Sequence, residues 1–178
     1  MKTKKQEELV QSYFSQFEKE VQLLYQDIIL HLCELGYYPK KAGESISFTN
    51  KTHNKQIVKF GTQIRKNQKP SPLFSLRFSS CKDYSQRFAD IVRDTIIKAT
   101  ANNPHRLARC AGGECNRCEG EPESHIYTSV LPDGEKIASC GSYGIRIPNI
   151  SVDDIDEIKE LICKEHEYLV RHGSKHSK

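Results

Sequence analysis

The sequence predicts an α+β fold: a mostly antiparallel sheet of about six strands in two three-strand halves, helices packed on one face, and a cysteine-rich metal loop between the halves. Three observations lead there. An apolar stripe at helical spacing opens the chain. Short runs rich in β-branched and aromatic residues then come in two groups of three, and a further helical stripe follows each group. The chain has 178 residues, 37% hydrophobic and 28% charged, which suits one domain spanning 1–178 with a core large enough to stand without disulfides.

From Gln6 to Gly36, Val10, Phe14, Phe17, Val21, Leu24, Ile28, Leu32 and Leu35 recur at spacings of three and four, which predicts one long helix over 6–36. Gly36 and Pro39 stop it. The stripe suits a helix lying across a sheet, and its near-heptad period also suits pairing with a second copy as a homodimer. Strands are predicted at 45–49, 56–60 and 73–78, with Pro70 and Pro72 kept out of the ladder. In the third, Phe74, Leu76 and Phe78 share the core face, and Ser75 and Arg77 share the other. A second helix is expected from Ser79 or Ser80 to just before Asn102-Asn103-Pro104, with Lys82, Arg87 and Lys98 on its wet side. Strands follow at 125–130, 136–140 and 143–147, the first two joined by the turn Pro132-Asp133-Gly134. Ser151 with Asp154 reads as the start of a last helix, 151–172.

Charge is unevenly placed. Net charge is −1 over 1–50, +10 over 51–109 and −5 over 110–178. The basic middle third suits an anionic ligand or nucleic acid, or else a solvated surface balanced by the acidic last third. No apolar run reaches the ~20 residues that cross a bilayer, so no membrane partner is expected. The charged, amphipathic start carries no secretory pattern, and the expected location is cytoplasmic. Thiols stay reduced there, so clustered cysteines read as metal ligands before disulfides.

Cys110, Cys115, Cys118 and Cys140 give the spacing C-x4-C-x2-C-x21-C. Four thiolates from a loop and a hairpin, spanning 105–140, suit tetrahedral Zn2+. The 132–134 turn would fold Cys140 back towards the loop. Gly112, Gly113 and Gly120 permit close backbone approach, and Arg109 and Arg117 would offset the charge of a zinc tetrathiolate. Such a site is structural, having no open position. His105 and His125 are competing ligands. Cys33 and Cys163, inside helices, read as packed thiols, and Cys81 as buried and inert.

Two resemblances add to this. Residues 110–120 resemble the cluster loop of plant-type ferredoxins in their C-x4-C-x2-C spacing and in the glycine two places after the third cysteine, which implies a [2Fe-2S] cluster as the alternative cofactor. The overall outline, with Arg146-Ile-Pro-Asn149 before an acid-capped helix, resembles small uncharacterised bacterial α+β proteins of the YdhG and YjbR kinds. That likeness implies a scaffold and no site residue.

The sequence contains no P-loop, G-x-S-x-G, H-E-x-x-H or G-x-G-x-x-G pattern. Glu165-His166-Glu167 reads as solvated helix surface. The leading functional reading is a non-enzymatic binding or regulatory module with a structural four-cysteine zinc site. Its rivals are a small enzyme with a basic pocket on the open sheet face, drawing on Lys59, Arg65, Arg77, Tyr84 and Tyr143, and an iron-sulfur redox protein. Lys59, Arg65, Arg77 and Arg87 gathered in a concavity would favour the pocket, and a stripe of them would favour nucleic acid.

Overall fold

The computed structural model of the chain describes residues 3–67, 69–102 and 125–172. In order these form α1 (Lys4–Phe14), α2 (Lys19–Glu34), β1 (Tyr37–Ala42), β2 (Ser45–Asn50), β3 (Gln56–Gln63), β4 (Ser71–Leu76), α3 (Gln86–Asn102), β5 (Ile126–Val130), β6 (Lys136–Cys140), β7 (Ile145–Ile147) and α4 (Ile155–His172), with a 3-10 turn at Val152–Asp154. The class is α+β, as expected. The sheet is not six strands in two halves. Five antiparallel strands run in the order β1-β2-β3-β4-β7, and β5 and β6 make a separate two-stranded sheet.

The expected helix over 6–36 is two helices. Phe17 N–H bonds Phe14 O at 3.0 Å, Ser15 Oγ donates to Ser12 O at 2.9 Å, and Gln16 Nε2 donates to Tyr13 O at 2.7 Å. Side chains thus take the last carbonyls of α1, and the chain turns. The apolar spacing continues through the break because Phe14 and Phe17 both remain in the core, with rings 5.8 Å apart.

β1 is not expected from the sequence, because Pro39 reads as a stop. It is an edge strand, where a missing N–H leaves no ladder gap. Gly36, at φ 81°, makes the turn into it, and Asn50 Nδ2 ties that turn to β2 by donating to Leu35 O at 3.0 Å. Pro72 likewise lies inside β4, opposite Thr62. On its other side β4 is paired by β7 only at residues 74–76, so Pro72 needs no donor there. α3 starts at Gln86, later than Ser79 or Ser80, because residues 79–85 are drawn into polar contacts described below. Its end at Asn102 is close to expectation.

Ile46, Phe48, Val58, Phe60, Phe74, Leu76, Ile145 and Ile147 fill two neighbouring cross-strand rows on one face, and all are buried. α1 and α2 pack on this face through edge-to-face contacts of Phe14 and Tyr25 with Phe60, at 5.2 and 5.3 Å. Ile158, Leu161 and Ile162 of α4 and Phe88, Val92 and Ile96 of α3 belong to the same cluster. The face is closed at its far end by Phe78 against Tyr84, Phe88 and Tyr127.

A register shift between Phe48 and Thr49 breaks the alternation of β3, and Ile57 and Val58 are both buried. Arg77 N–H donates to Ile57 O at 2.8 Å beside this bulge. Leu76, Arg77 and Phe78 are then buried in succession. The expected place of Arg77 on the wet face beside Ser75 is therefore corrected: the bulge turns it inward.

The β5–β6 hairpin docks at Gly141, where an added Cβ would lie 2.0 Å from His125 O and 2.5 Å from Ser79 Oγ. Both neighbours are buried and held by their own bonds. Gly141→Ala is expected to destabilise the protein by about 2–3 kcal/mol or more, as overpacking against fixed backbone does, measured as a fall in the urea midpoint. An unchanged midpoint would show that the hairpin can shift freely.

Candidate functional site

Arg77, His125 and Glu165 come from the end of β4, the start of β5 and the middle of α4, and their side chains are 5%, 0% and 0% exposed. Arg77 Nε donates to Glu165 Oε1 at 2.7 Å, and its Nη2 donates to His125 Nε2. Ser80 N–H donates to Glu165 Oε2 at 2.9 Å. The His125 ring stacks on Tyr168 at 5.2 Å. Burial pushes the Glu165 carboxyl up, but the His125 imidazole beside it, the Arg77 charge and the Ser80 N–H together hold it below its ordinary value. Around this set, Tyr127 OH accepts from Phe78 N–H at 3.0 Å and donates to Tyr143 O at 3.2 Å, and Ser79 Oγ donates to Gly141 O at 3.1 Å. The reading of Glu165 as solvated surface is thus corrected. Helical spacing from Ile158, Leu161 and Ile162 to Leu169 places position 165 on the buried side of α4, and that was the available signal.

The other cations of the sequence proposal divide. Arg87 is spent on structure: its Nε and Nη2 meet Asp154 Oδ1 and Oδ2 at 2.6 and 3.1 Å, and Nη2 also donates to Pro148 O and Asn149 O at 3.0 and 3.1 Å. Burial raises the Asp154 carboxyl, and the Ser151 N–H and Arg87 more than offset it, leaving it below its usual value. Ser151 N–H bonds Asp154 Oδ2 at 2.8 Å as part of the expected capping box, which is formed. Tyr84 packs on Phe78, and Tyr143 is exposed beyond β6, so neither joins Lys59 or Arg65.

Lys59 and Arg65 are exposed, and the pairing register shows what Lys59 stands beside. Across five strands, Lys40 faces Ser47, Ser47 faces Lys59, Lys59 faces Ser75, and Ser75 faces Arg146. The row runs along the face opposite the Phe60 and Phe74 rows. Lys40, Lys59 and Arg146 are exposed. Strands lie about 4.8 Å apart, so the three cations recur about every 10 Å. Tyr38, on the same face of β1, has the Lys40 and Lys51 ammonium groups 5.1 and 5.5 Å from its ring centre. At the other end, Arg146 Nη2 and Arg65 Nη2 converge on Gln63 Oε1, at 2.9 and 3.5 Å. Lys40, Tyr38 and Arg146 were not in the sequence proposal. Arg146 was legible in Ile145-Arg-Ile147, while Lys40 was hidden by the unexpected strand.

Cys110, Cys115, Cys118 and the competing His105 lie outside the described residues. Cys140 ends β6 opposite Ile126, the second described residue after the cysteine-rich segment of the sequence, and its Sγ lies 3.0 Å from Ser142 Oγ. His125, the other competing ligand, is committed to Arg77 and Tyr168 instead. Among the described residues no group of three or more His, Cys, Asp or Glu side chains is placed to hold a metal. Cys81 is buried, with Sγ donating to Asp83 O at 3.1 Å, and Cys33 and Cys163 are half-buried. Burial raises all three thiols, which makes them poor nucleophiles.

No protein-family model, curated protein or solved structure matches the chain. Among the described residues no helix is long and apolar enough to cross a membrane.

Truncating one partner of the buried ionic set leaves the other uncompensated, so Glu165→Ala is expected to cost about 3–5 kcal/mol in denaturant unfolding, while Arg77→Met combined with Glu165→Leu costs far less. The folded carboxyl of Glu165 sits below its ordinary value of 4.5. Its contribution is therefore complete above that pH and is lost as pH falls through the lower folded value. Glu165→Gln should flatten this acid limb of the stability profile. An unchanged limb would place the acid sensitivity elsewhere.

Proposed function

We propose that the protein is a binding module that holds a single nucleic-acid strand across the open face of its five-stranded sheet. The observation that carries this is the row Lys40, Ser47, Lys59, Ser75 and Arg146: three exposed cations, one on every second strand, with hydroxyls between them and no carboxylate in the row. Regularly spaced cations suit a repeating phosphate backbone better than one compact anion. Tyr38, with its two flanking lysines, offers one base a stacking platform at the end of the row. The net charge of +10 over 51–109 supports the same partner by long-range attraction.

The same reading assigns Cys110, Cys115, Cys118 and Cys140 to one structural zinc that pins the loop before β5 to the end of β6. The chemistry of the donor set supports it, as does Cys140 standing opposite Ile126. Bound zinc would supply folding free energy to that segment and leave the reaction chemistry untouched. A [2Fe-2S] cluster is the alternative occupant of the same cysteines.

Binding of an unstructured oligonucleotide, measured by anisotropy from 50 to 200 mM salt, should weaken with a log–log slope of about 2, as for three phosphate contacts on a single strand, and Lys59→Ala should lower that slope by about 0.7. A slope that Lys59→Ala and Lys40→Ala leave unchanged would contradict the assignment of the row. For the metal, Cys115→Ser should abolish zinc in protein purified without a tag, read by elemental analysis. Retained metal in that variant would remove Cys115 from the ligand set, and iron with a brown colour in the parent protein would overturn zinc.

A further inference from the structure

The cleft at the Arg146 end of the row has a chemistry of its own. It is a cavity of about 360 Å³ formed where β3, β4 and β7 end over α2, within the size range of small-ligand sites. Two guanidinium groups enter it and share a single neutral acceptor, Gln63 Oε1, with Arg146 at 2.9 Å and Arg65 at 3.5 Å. Among the described residues neither arginine forms an ion pair with a carboxylate. Two like charges held beside one amide oxygen repel each other, and an anion placed between them relieves that repulsion. Both are arginines, whose forked donors match the oxygens of a phosphate.

The wall behind them is fixed before any ligand arrives. Pro148 and Asn149 line the cleft, and their carbonyls accept from Arg87, itself locked to Asp154 by two bonds. Asn149 is held at φ 49°, in the left-handed region, which sets the turn that follows Arg146. Ser71 adds a hydroxyl to the lining, and Leu24 and Ile150 supply an apolar side. A rigid wall lowers the ordering cost of binding.

We propose that this cleft binds a phosphate monoester, with Arg65 and Arg146 on the phosphate and the organic group against the Leu24 and Ile150 side. The inference builds on the strand-binding reading, because Arg146, the last cation of the row, also lines the cleft. Charge selects the ligand class. A monoester carries about −1.5 to −2 at pH 7, matching two guanidinium groups, whereas an internal phosphodiester or a carboxylate carries only −1. The same group occurs on a free mononucleotide and at the end of a phosphorylated strand, and the test separates these.

Calorimetric titration of the full chain with a nucleoside monophosphate, at low salt and pH 7.5, should show saturable binding that Arg146→Gln and Arg65→Gln each weaken at least tenfold. Lys98→Ala, which removes one exposed charge from α3, should leave it within twofold. The parent nucleoside without phosphate should not bind. A terminally phosphorylated oligonucleotide should bind at least tenfold more tightly than the same strand ending in hydroxyls, and Arg146→Gln should erase most of that difference. Monoester binding that neither arginine variant weakens, or no monoester binding at millimolar concentration, would overturn the cleft. In that case, strand binding that is still sensitive to Lys59→Ala would leave the strand reading standing. Monoester binding dependent on both arginines without any strand binding would uphold the cleft and overturn the strand reading. Arg65 and Arg146 are exposed, so neither variant should lower the melting temperature; circular dichroism verifies this.

Discussion

The ion pair of Arg77 with Glu165, completed by His125, is the constraint on which the arrangement of the other parts depends. It joins the residue after β4, the middle of α4 and the residue before β5 at one buried point. A buried charge tolerates no approximate partner. Desolvation costs several kcal/mol per ion and is recovered only when each donor and acceptor is met. Here Glu165 takes Arg77 Nε on one oxygen and the Ser80 N–H on the other, and Arg77 reaches His125 through Nη2. That demand explains why residues 79–85 do not begin α3 where their sequence would allow it, and why Gly141 has no room for a side chain.

The same interaction shapes the outer face. Withdrawing Arg77 into the interior leaves Ser75 as the last outward residue of β4, between Lys59 and Arg146. The open face therefore carries a row with small hydroxyls under long cations. Arg87, a further positive charge of the basic middle third, is turned to Asp154 and the 148–149 carbonyls, and so sets the shape of the cleft without entering it. One arginine is spent on each structural task, and the surface cations are those left over. Basic composition alone could not make that division.

Much of the scaffold was legible. The stripes of α3 and α4, the Pro-Asp-Gly turn between β5 and β6, and the β-branched and aromatic runs of β2 to β4 were all readable from the local sequence. Among what was not, three cases show the cause. The break at Ser15–Glu18 keeps Phe14 and Phe17 in the same core, so its spacing looks like one helix. Pro39 marks a stop in isolation and an edge strand only once β2 is known to pair with residues 37–42. The inward turn of Arg77 depends on a bulge in β3, a neighbouring strand, and on Glu165, 88 residues away. Each miss is a tertiary effect overriding a correct local rule. Of the candidate site, Lys59 and Arg65 were read correctly as exposed, Arg146 was readable from Ile145-Arg-Ile147, and Lys40 entered only through the missed strand.

The most direct test of the central claim is to map a bound strand on the protein by nuclear magnetic resonance. Amide and side-chain shifts on adding a short unstructured oligonucleotide should concentrate at Tyr38, Lys40, Ser47, Lys59, Ser75 and Arg146, and should leave the outward faces of α1 and α2 unmoved. Shifts gathered on those helices instead, with the open face silent, would contradict the account.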